Sequence, residues 1–361
     1  MLAPHGKTTM SPALFDLQLD DGAWAVTLAT PHQIQVARSF GYNRILLANQ
    51  LVGRAAIEYV LRELQDNPDF EFYCLVDSIA NAQAISRAAQ GLKLARPVNL
   101  LVELGYAGGR TGCRTIDEAV ALASFVGRSD KIRLSGVEGF EGLLRGDSPE
   151  KTAALVNAFL DDLVGLAEIC ASQGLFPDET IILSAGGSSF YDLVVAKLKA
   201  AKLARPSVVL LRAGCYITHD SLMYVRAFDA LRQRDPDLAA KGGGLQPALE
   251  VWAYVQSRPE PTKAILGFGK RDASHDDPPV ALSWFRPGGS MDQPLPIPHG
   301  HEVLRLNDQH CHMAVPEDSP LSVGDMVAFG VSHPCLTFDK WRVIHLVDDD
   351  YKVTSSIRTY F

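Results

Sequence analysis

"TIILSAGGSSFYDLVVAKLKAAKLARPSVVLLRAG" (180–214) holds an apolar run, a glycine–serine loop, an amphipathic run and a second apolar run. Both apolar runs are short and nearly continuous in Val, Ile and Leu, as a parallel strand buried on both faces requires. Between them, "DLVVAKLKAAKLA" (192–204) spaces its apolar residues at helical intervals with lysines interposed. Parallel strands cannot be joined by a tight turn, so strand, helix and strand form one βα crossover unit.

The same unit repeats toward the N-terminus. Strand-like runs stand at "MLAPH" (1–5), "WAVTLAT" (24–30), "RILLAN" (44–49), "EFYCLVD" (71–77), "VNLLVELG" (98–105) and "KIRLSGVEG" (131–139). With "TIILSAGG" (180–187) and "SVVLLRAG" (207–214) that makes eight. Helical stretches separate them. "TIDEAVALASFVG" (115–127) has Thr115 as its expected N-cap, and "SPEKTAALVNAFLDDLVGLAEICASQG" (148–174) ends at a glycine. Eight successive βα units predict an α/β fold, a (β/α)8 TIM-like barrel, with an open doubly wound sheet as the alternative.

After "RQRDPDLAAKGGG" (232–244) the long helical periods stop. Strand-like pieces follow at "ALEVWAYVQSR" (248–258), "KAILGFGKRD" (263–272), "VALSWFRPG" (280–288), "HEVLRLNDQHCHMAV" (301–315), "DMVAFGVSH" (325–333) and "WRVIHLVDDDYKVTSSI" (341–357). Turn formers punctuate them, so a C-terminal antiparallel β domain over 236–361 is expected behind a barrel over 1–235.

Composition narrows the class. The 361 residues are 47% hydrophobic and 21% charged, enough for a large core. The net charge of −8, with both signs interspersed, argues against nucleic acid or an anionic membrane as a main partner. The six cysteines are scattered with no CxxC pair, and the first ten residues carry no signal-peptide pattern. A reduced, cytoplasmic protein without a membrane span is the expectation.

Barrel chemistry sits at the C-terminal strand ends. Lys7 leaves the first strand there, a candidate Schiff-base amine if the apolar strand desolvates it. Arg110, in "ELGYAGGRTGCR", would project over the barrel mouth. Gly186, Gly187 and Ser188 form a loop whose amides and hydroxyl suit a phosphate, and Tyr216 follows the last strand. A lysine, an arginine and a phosphate cup on one face fit pyridoxal 5'-phosphate better than a nicotinamide or flavin, and no GxGxxG follows an early strand.

The ordered motifs "PHGKTTM" (4–10), "GGRTG" (108–112), "SAGGSS" (184–189), "RAGCYITHD" (212–220), "GFGKRDAS" (267–274), "NDQHCHM" (307–313) and "GDMVAFGVSHPC" (324–335) make the chain resemble the D-serine dehydratase / D-threonine aldolase-like family. The amino acid deaminase branch is the nearest in pattern, and the resemblance spans nearly the whole chain. It implies a fold type III enzyme: an alanine racemase-type barrel with a C-terminal β domain. It further implies Lys7 as the Schiff-base lysine, Arg110 facing the pyridine hydroxyl, a phosphate loop at Gly186, Gly187 and Ser188, and Tyr216 on the cofactor. His310, with His312 beside it, falls where an active-site histidine is expected. His333 and Cys335 fall on the divalent-metal pair, Zn²⁺ by ligand type with Mn²⁺ as the alternative. If they lie on a strand, their two-residue spacing puts them on one face.

The implied activity is dehydration and deamination of D-serine or D-threonine to a 2-oxo acid and ammonia, with freed Lys7 taking the Cα proton. Aldol cleavage to glycine and an aldehyde is the alternative. The resemblance links cysteine in the second metal position to dehydratases, which favours dehydration for Cys335. A non-catalytic pyridoxal-phosphate carrier and a metal-dependent barrel hydrolase are readings from other classes. The resemblance also implies a homodimer. Two departures stand out: only six residues precede Lys7, so weak closure of the barrel is expected, and "RAGCY" replaces the commoner RPGxY.

Overall fold

The computed structural model describes residues 1–177 and 180–361. The chain forms two compact units, one of residues 1–7 and 15–214, the other of residues 8–14 and 215–361. The second unit thus begins at Cys215, ahead of the change of texture near residue 235.

The first unit is built on a parallel sheet with strands in chain order: β1 (Val26–Leu28), β2 (Arg44–Gln50), β3 (Glu71–Val76), β4 (Val98–Leu104), β5 (Ile132–Gly139), β6 (Ile181–Ala185) and β7 (Ser207–Leu211). Helices connect successive strands, and β4 and β6 are buried along their whole length, including their few polar residues Asn99, Glu103 and Ser184. Leu46, Leu75, Leu101, Ile182 and Leu210 form one apolar cluster. They come from five strands, several not neighbours in the sheet, so they can meet only inside a curled sheet.

Residues 1–5 join the two outer strands. The amides of Ala3 and His5 donate to the carbonyls of Leu211 and Ala213 at 2.8 and 3.0 Å, and Thr27 N donates to Pro4 O at 2.8 Å. Leu2 pairs with Leu211 and His5 with Thr27, both parallel. The first of the eight expected strands is therefore present as isolated bridges. Pro4 accounts for part of the irregularity, because its missing N–H falls on the side facing β1. The weak closure expected from the short lead is not what these bonds show: the segment pairs on both sides.

The second unit centres on an antiparallel sheet of β8 (Glu250–Glu260), β9 (Lys263–Leu266), β10 (Val280–Phe285), β11 (Leu295–Pro296), β12 (Glu302–Leu306), β13 (Cys311–Ala314) and β14 (Met326–Gly330), in the order β11-β10-β14-β8-β9-β13-β12. A separate hairpin pairs β15 (Val343–Val347) with β16 (Val353–Arg358). Inward positions of these strands supply a core that includes Val251, Val255, Met313, Val327 and Phe329, with the Phe268 and Phe329 ring centroids 4.6 Å apart. Leu14 joins this core, and Tyr360 N donates to Met10 O at 2.8 Å, which is how residues 8–14 belong to this unit.

Candidate functional site

Lys7 lies exposed in a short 3-10 turn, Gly6–Thr8, at the C-terminal end of the closing segment. A Cβ on Gly6 would come within 2.7 Å of the Phe15 ring, so the turn depends on glycine. The apolar strand therefore presents Lys7 without burying it, a correction to the desolvation expected. His5, just before the turn, has a buried Nδ1 with no partner among the described residues. Burial and the nearby Lys7 and Arg212 cations hold its imidazole well below the usual range.

The loop after β4 is pinched shut at its base. Gly105 N donates to Cys113 O at 2.9 Å and Cys113 N to Glu103 O at 2.8 Å. Arg110 is exposed near the tip of this loop, its guanidinium 4.8 Å from the centre of the Phe140 ring. A recess here is lined by Glu103, Tyr106, Arg110, Thr111 and Phe140. Glu103 is buried and accepts from Thr111 Oγ1 at 2.6 Å and from the Gln50 amide.

The glycine loop after β6 holds an unexpected partner. Gly186 N donates to Glu141 Oε2 at 3.0 Å and Gly187 N to Glu141 Oε1 at 2.7 Å. Glu141 is 0% exposed, and burial pushes its carboxyl up while these two amides pull it down. Gly187 has φ +76, a left-handed conformation that favours glycine. The loop turns its amides toward an anion, as the sequence suggested, but two of the three candidate residues already serve a carboxylate. Ser188 is half-buried and outside this clasp.

A third feature was missed in the sequence. Arg212, buried at the end of β7, pairs with Glu138 of β5 and donates to Ser184 Oγ at 2.9 Å and Gly139 O at 3.0 Å. Burial pushes the Glu138 carboxyl up to about 8, with Arg212 opposing. The signal was available: a charge within a strand whose neighbours are all apolar needs a buried partner.

In the second unit, Cys215, His333 and Cys335 each offer a ligand atom, and the three atoms lie within 4.8 Å of one another. Cys215 Sγ and Cys335 Sγ are 3.5 Å apart, and Thr8 Oγ1 is 3.2 Å from Cys335 Sγ. Asp276 Oδ2 holds His333 Nδ1 at 2.8 Å, which leaves Nε2 as the nitrogen for a metal. The hydrogen bond from Cys215, with help from His333, holds the Cys335 thiol down to about 4, while Cys215 is raised well above its usual range. Cys335 and Asp276 push His333 up to about 9.

The strand reading of "VSHPC" is corrected here. β14 ends at Gly330, and Pro334 takes helical angles (φ −56, ψ −41) to open the turn Cys335–Phe338. A proline has no N–H for a ladder, so the strand stops before His333. The loop is held instead by Ser274, whose Oγ accepts from His333 N at 3.1 Å and whose amide donates to Thr337 Oγ1 at 3.0 Å.

The other candidates supply no atom to this group of donors. His310 is exposed in the turn between β12 and β13 and is not among the three ligands, nor is His312, which bonds Asn307 Oδ1 through Nε2 at 2.6 Å. Tyr216 is half-buried in the turn Cys215–Ile217, in the second unit. Among the described residues, no helix is long and apolar enough to cross a membrane.

Comparison with known proteins bears on both units. Residues 248–347 match the family model described as a putative serine dehydratase domain. The whole fold is similar to D-threonine aldolase from Filomicrobium marinum, at 21% identity and a TM-score of 0.78, over 99% of this chain and 87% of that one. It is also similar to D-threo-3-hydroxyaspartate dehydratase from Delftia sp. HT23, at 22% identity and a TM-score of 0.66, over 99% and 90% of the two chains. An alanine racemase-like protein from Idiomarina loihiensis gives 17%, 0.69, 99% and 89%. Variants of D-threo-3-hydroxyaspartate dehydratase at a histidine and at a cysteine two positions later are among the similar structures, the cysteine variant in a metal-free form. No sequence among curated proteins matches this chain. The resemblance to the D-serine dehydratase / D-threonine aldolase-like family, with its alanine racemase-like fold, is borne out.

Proposed function

We propose that this chain is a pyridoxal-phosphate- and metal-dependent lyase that dehydrates D-3-hydroxy amino acids, D-serine or D-threonine, to a 2-oxo acid and ammonia. The observation that carries the reading is the convergence of His333 and Cys335 as donors, with Asp276 fixing the imidazole.

The residues suit the two groups in different degrees. An exposed lysine at the strand ends suits an aldehyde-bearing cofactor, and a half-buried Ser188 beside turned amides suits its phosphate. The Gly186 and Gly187 amides do not suit it while Glu141 holds them, so their part is to set the loop's shape. Imidazole and thiolate suit Zn²⁺ better than Mn²⁺.

When bound, pyridoxal phosphate supplies an electron sink for charge at Cα, and a divalent metal supplies a Lewis acid for a departing hydroxyl. Lys7 anchors the cofactor and moves the Cα proton. Arg110 and Tyr216 orient the cofactor, His333 and Cys335 hold the metal, and His310 stands as the further catalytic histidine of the reading. All six cysteines are free, which suits a reducing, cytoplasmic compartment. The assembly proposed is a homodimer, checked by sedimentation.

Incubation of the purified protein with D-serine and D-threonine, followed by assay of 2-oxo acid and of glycine, tests the activity. Glycine and an aldehyde as main products would favour aldol cleavage, the reading that likeness to a D-threonine aldolase supports. Lys7→Ala should abolish turnover and the visible absorbance of lysine-bound cofactor. Absence of both products and of that absorbance in the native protein would refute the reading.

A further inference from the structure

We infer that Cys215 is a third protein ligand, making a Cys2His metal site with one open position. The inference rests on the proposed role of His333 and Cys335 and adds a donor that neither motif spacing nor the comparisons assign.

The geometry suits a thiophilic ion. Two thiolates at about 2.3 Å from a tetrahedral zinc stand about 3.8 Å apart. The Cys215 and Cys335 sulfurs are 3.5 Å apart, so both reach one ion after a shift of a few tenths of an ångström. The imidazole nitrogen lies inside the same 4.8 Å span. Cys215 is 6% exposed, so its sulfur is not a chance surface neighbour.

The chain is built to keep the two segments together. Ser221 N donates to Val331 O at 3.0 Å, which ties the stretch after Cys215 to the stretch before His333. A Cβ on Gly330 would collide with the Ser221 side chain, so glycine at the end of β14 permits this approach. The Cys215 turn is closed by His219 N donating to Cys215 O at 2.7 Å. Around the donors, Asp276 bonds the imidazole and Thr8 the Cys335 sulfur, the outer partners a ligating set needs.

Charge and softness name the ion. Two thiolates and a neutral imidazole balance a divalent cation within the ligand set itself. Two sulfurs select Zn²⁺ over Mg²⁺ or Mn²⁺. The open fourth position is what a catalytic zinc keeps for substrate or water.

Cobalt substitution of the full-length protein reads the ligands directly. Co²⁺ bound by thiolate shows a sulfur-to-metal absorbance whose intensity follows the number of sulfurs. Cys215→Ser should about halve that band, and chelator competition should show Zn²⁺ held about 10- to 100-fold more weakly, at least the loss seen when a metal's outer partners are removed. Cys335→Ser should keep about half the band, from Cys215, a readout that does not depend on how well the Cys215 variant folds. A Cys335→Ser protein that binds Co²⁺ with no thiolate band, or a folded Cys215→Ser protein with native band and Zn²⁺ affinity, overturns the inference and leaves the His333–Cys335 pair standing. Native Zn²⁺ affinity in both His333→Ala and Cys335→Ser would overturn the pair and the inference together.

Discussion

Asp276 Oδ2 lies 2.8 Å from His333 Nδ1, so the carboxylate fixes which face of the imidazole is offered to a metal. Such a partner both orients the ring and raises its basicity. Asp276→Ala should weaken Zn²⁺ binding about 10- to 100-fold, read by chelator competition, while the circular dichroism spectrum stays native. Undiminished affinity would mean that the contact is only a surface ion pair.

Glu141 satisfies two buried amides at once. Glu141→Ala leaves the Gly186 and Gly187 N–H groups unpaired, at a cost of about 1–3 kcal/mol for each. The melting temperature should fall and pyridoxal phosphate should be released faster on dialysis. Glu141→Gln keeps one acceptor oxygen and should fall between the two. A native melting temperature in the alanine variant would show that water replaces the carboxylate without loss.

Glu138 gives a pH signature. Its folded carboxyl is raised to about 8, so the folded chain binds this proton more tightly than the unfolded chain does. The stabilisation is present below the unfolded value, near 4.5, and is lost as pH rises through about 8. Glu138→Gln fixes a neutral side chain at this position, so it should flatten the slope across that window and lower the melting temperature mainly above about pH 8, where Arg212 loses a counter-charge. An unaltered slope would assign the pH dependence to other groups.

Chelation separates chemistry from folding. The core of the second unit is a large apolar cluster that does not include the three donors. Metal removal should abolish lyase activity and leave the melting temperature nearly unchanged. Cys335→Asp exchanges soft sulfur for hard oxygen and should lower Zn²⁺-supported dehydration. Unfolding on chelation would instead make the metal structural.

The barrel was legible because most of its strands are largely buried, and short, mostly apolar runs such as "VNLLVEL" alternating with helical stretches mark parallel strands. Even residues 1–5 could be read as a strand, although Pro4 reduces them to isolated bridges. The His333 and Cys335 pair was visible through its motif, but not its placement: the apolar pattern of β14 runs on into "GV", and only Pro334 marks the end. Cys215 meets Cys335 across 120 positions and Glu141 meets the glycine loop across 45. No spacing rule links such residues, because the fold alone brings them together.

The closing of the first unit by residues 1–5 has a consequence for synthesis. Met1 bonds Val209 across 208 positions, so residues 1–5 are made long before β7 and must wait for it to leave the ribosome. Until then the nascent sheet has two open edges, on β1 and on the newest strand, each able to pair with another chain. Ring closure is the most non-local event in the unit, and such contacts are slow to form because the loop entropy comes first. A nascent chain stalled before residue 207 should therefore bind holdase chaperones or aggregate, whereas one stalled well past residue 214 should resist both.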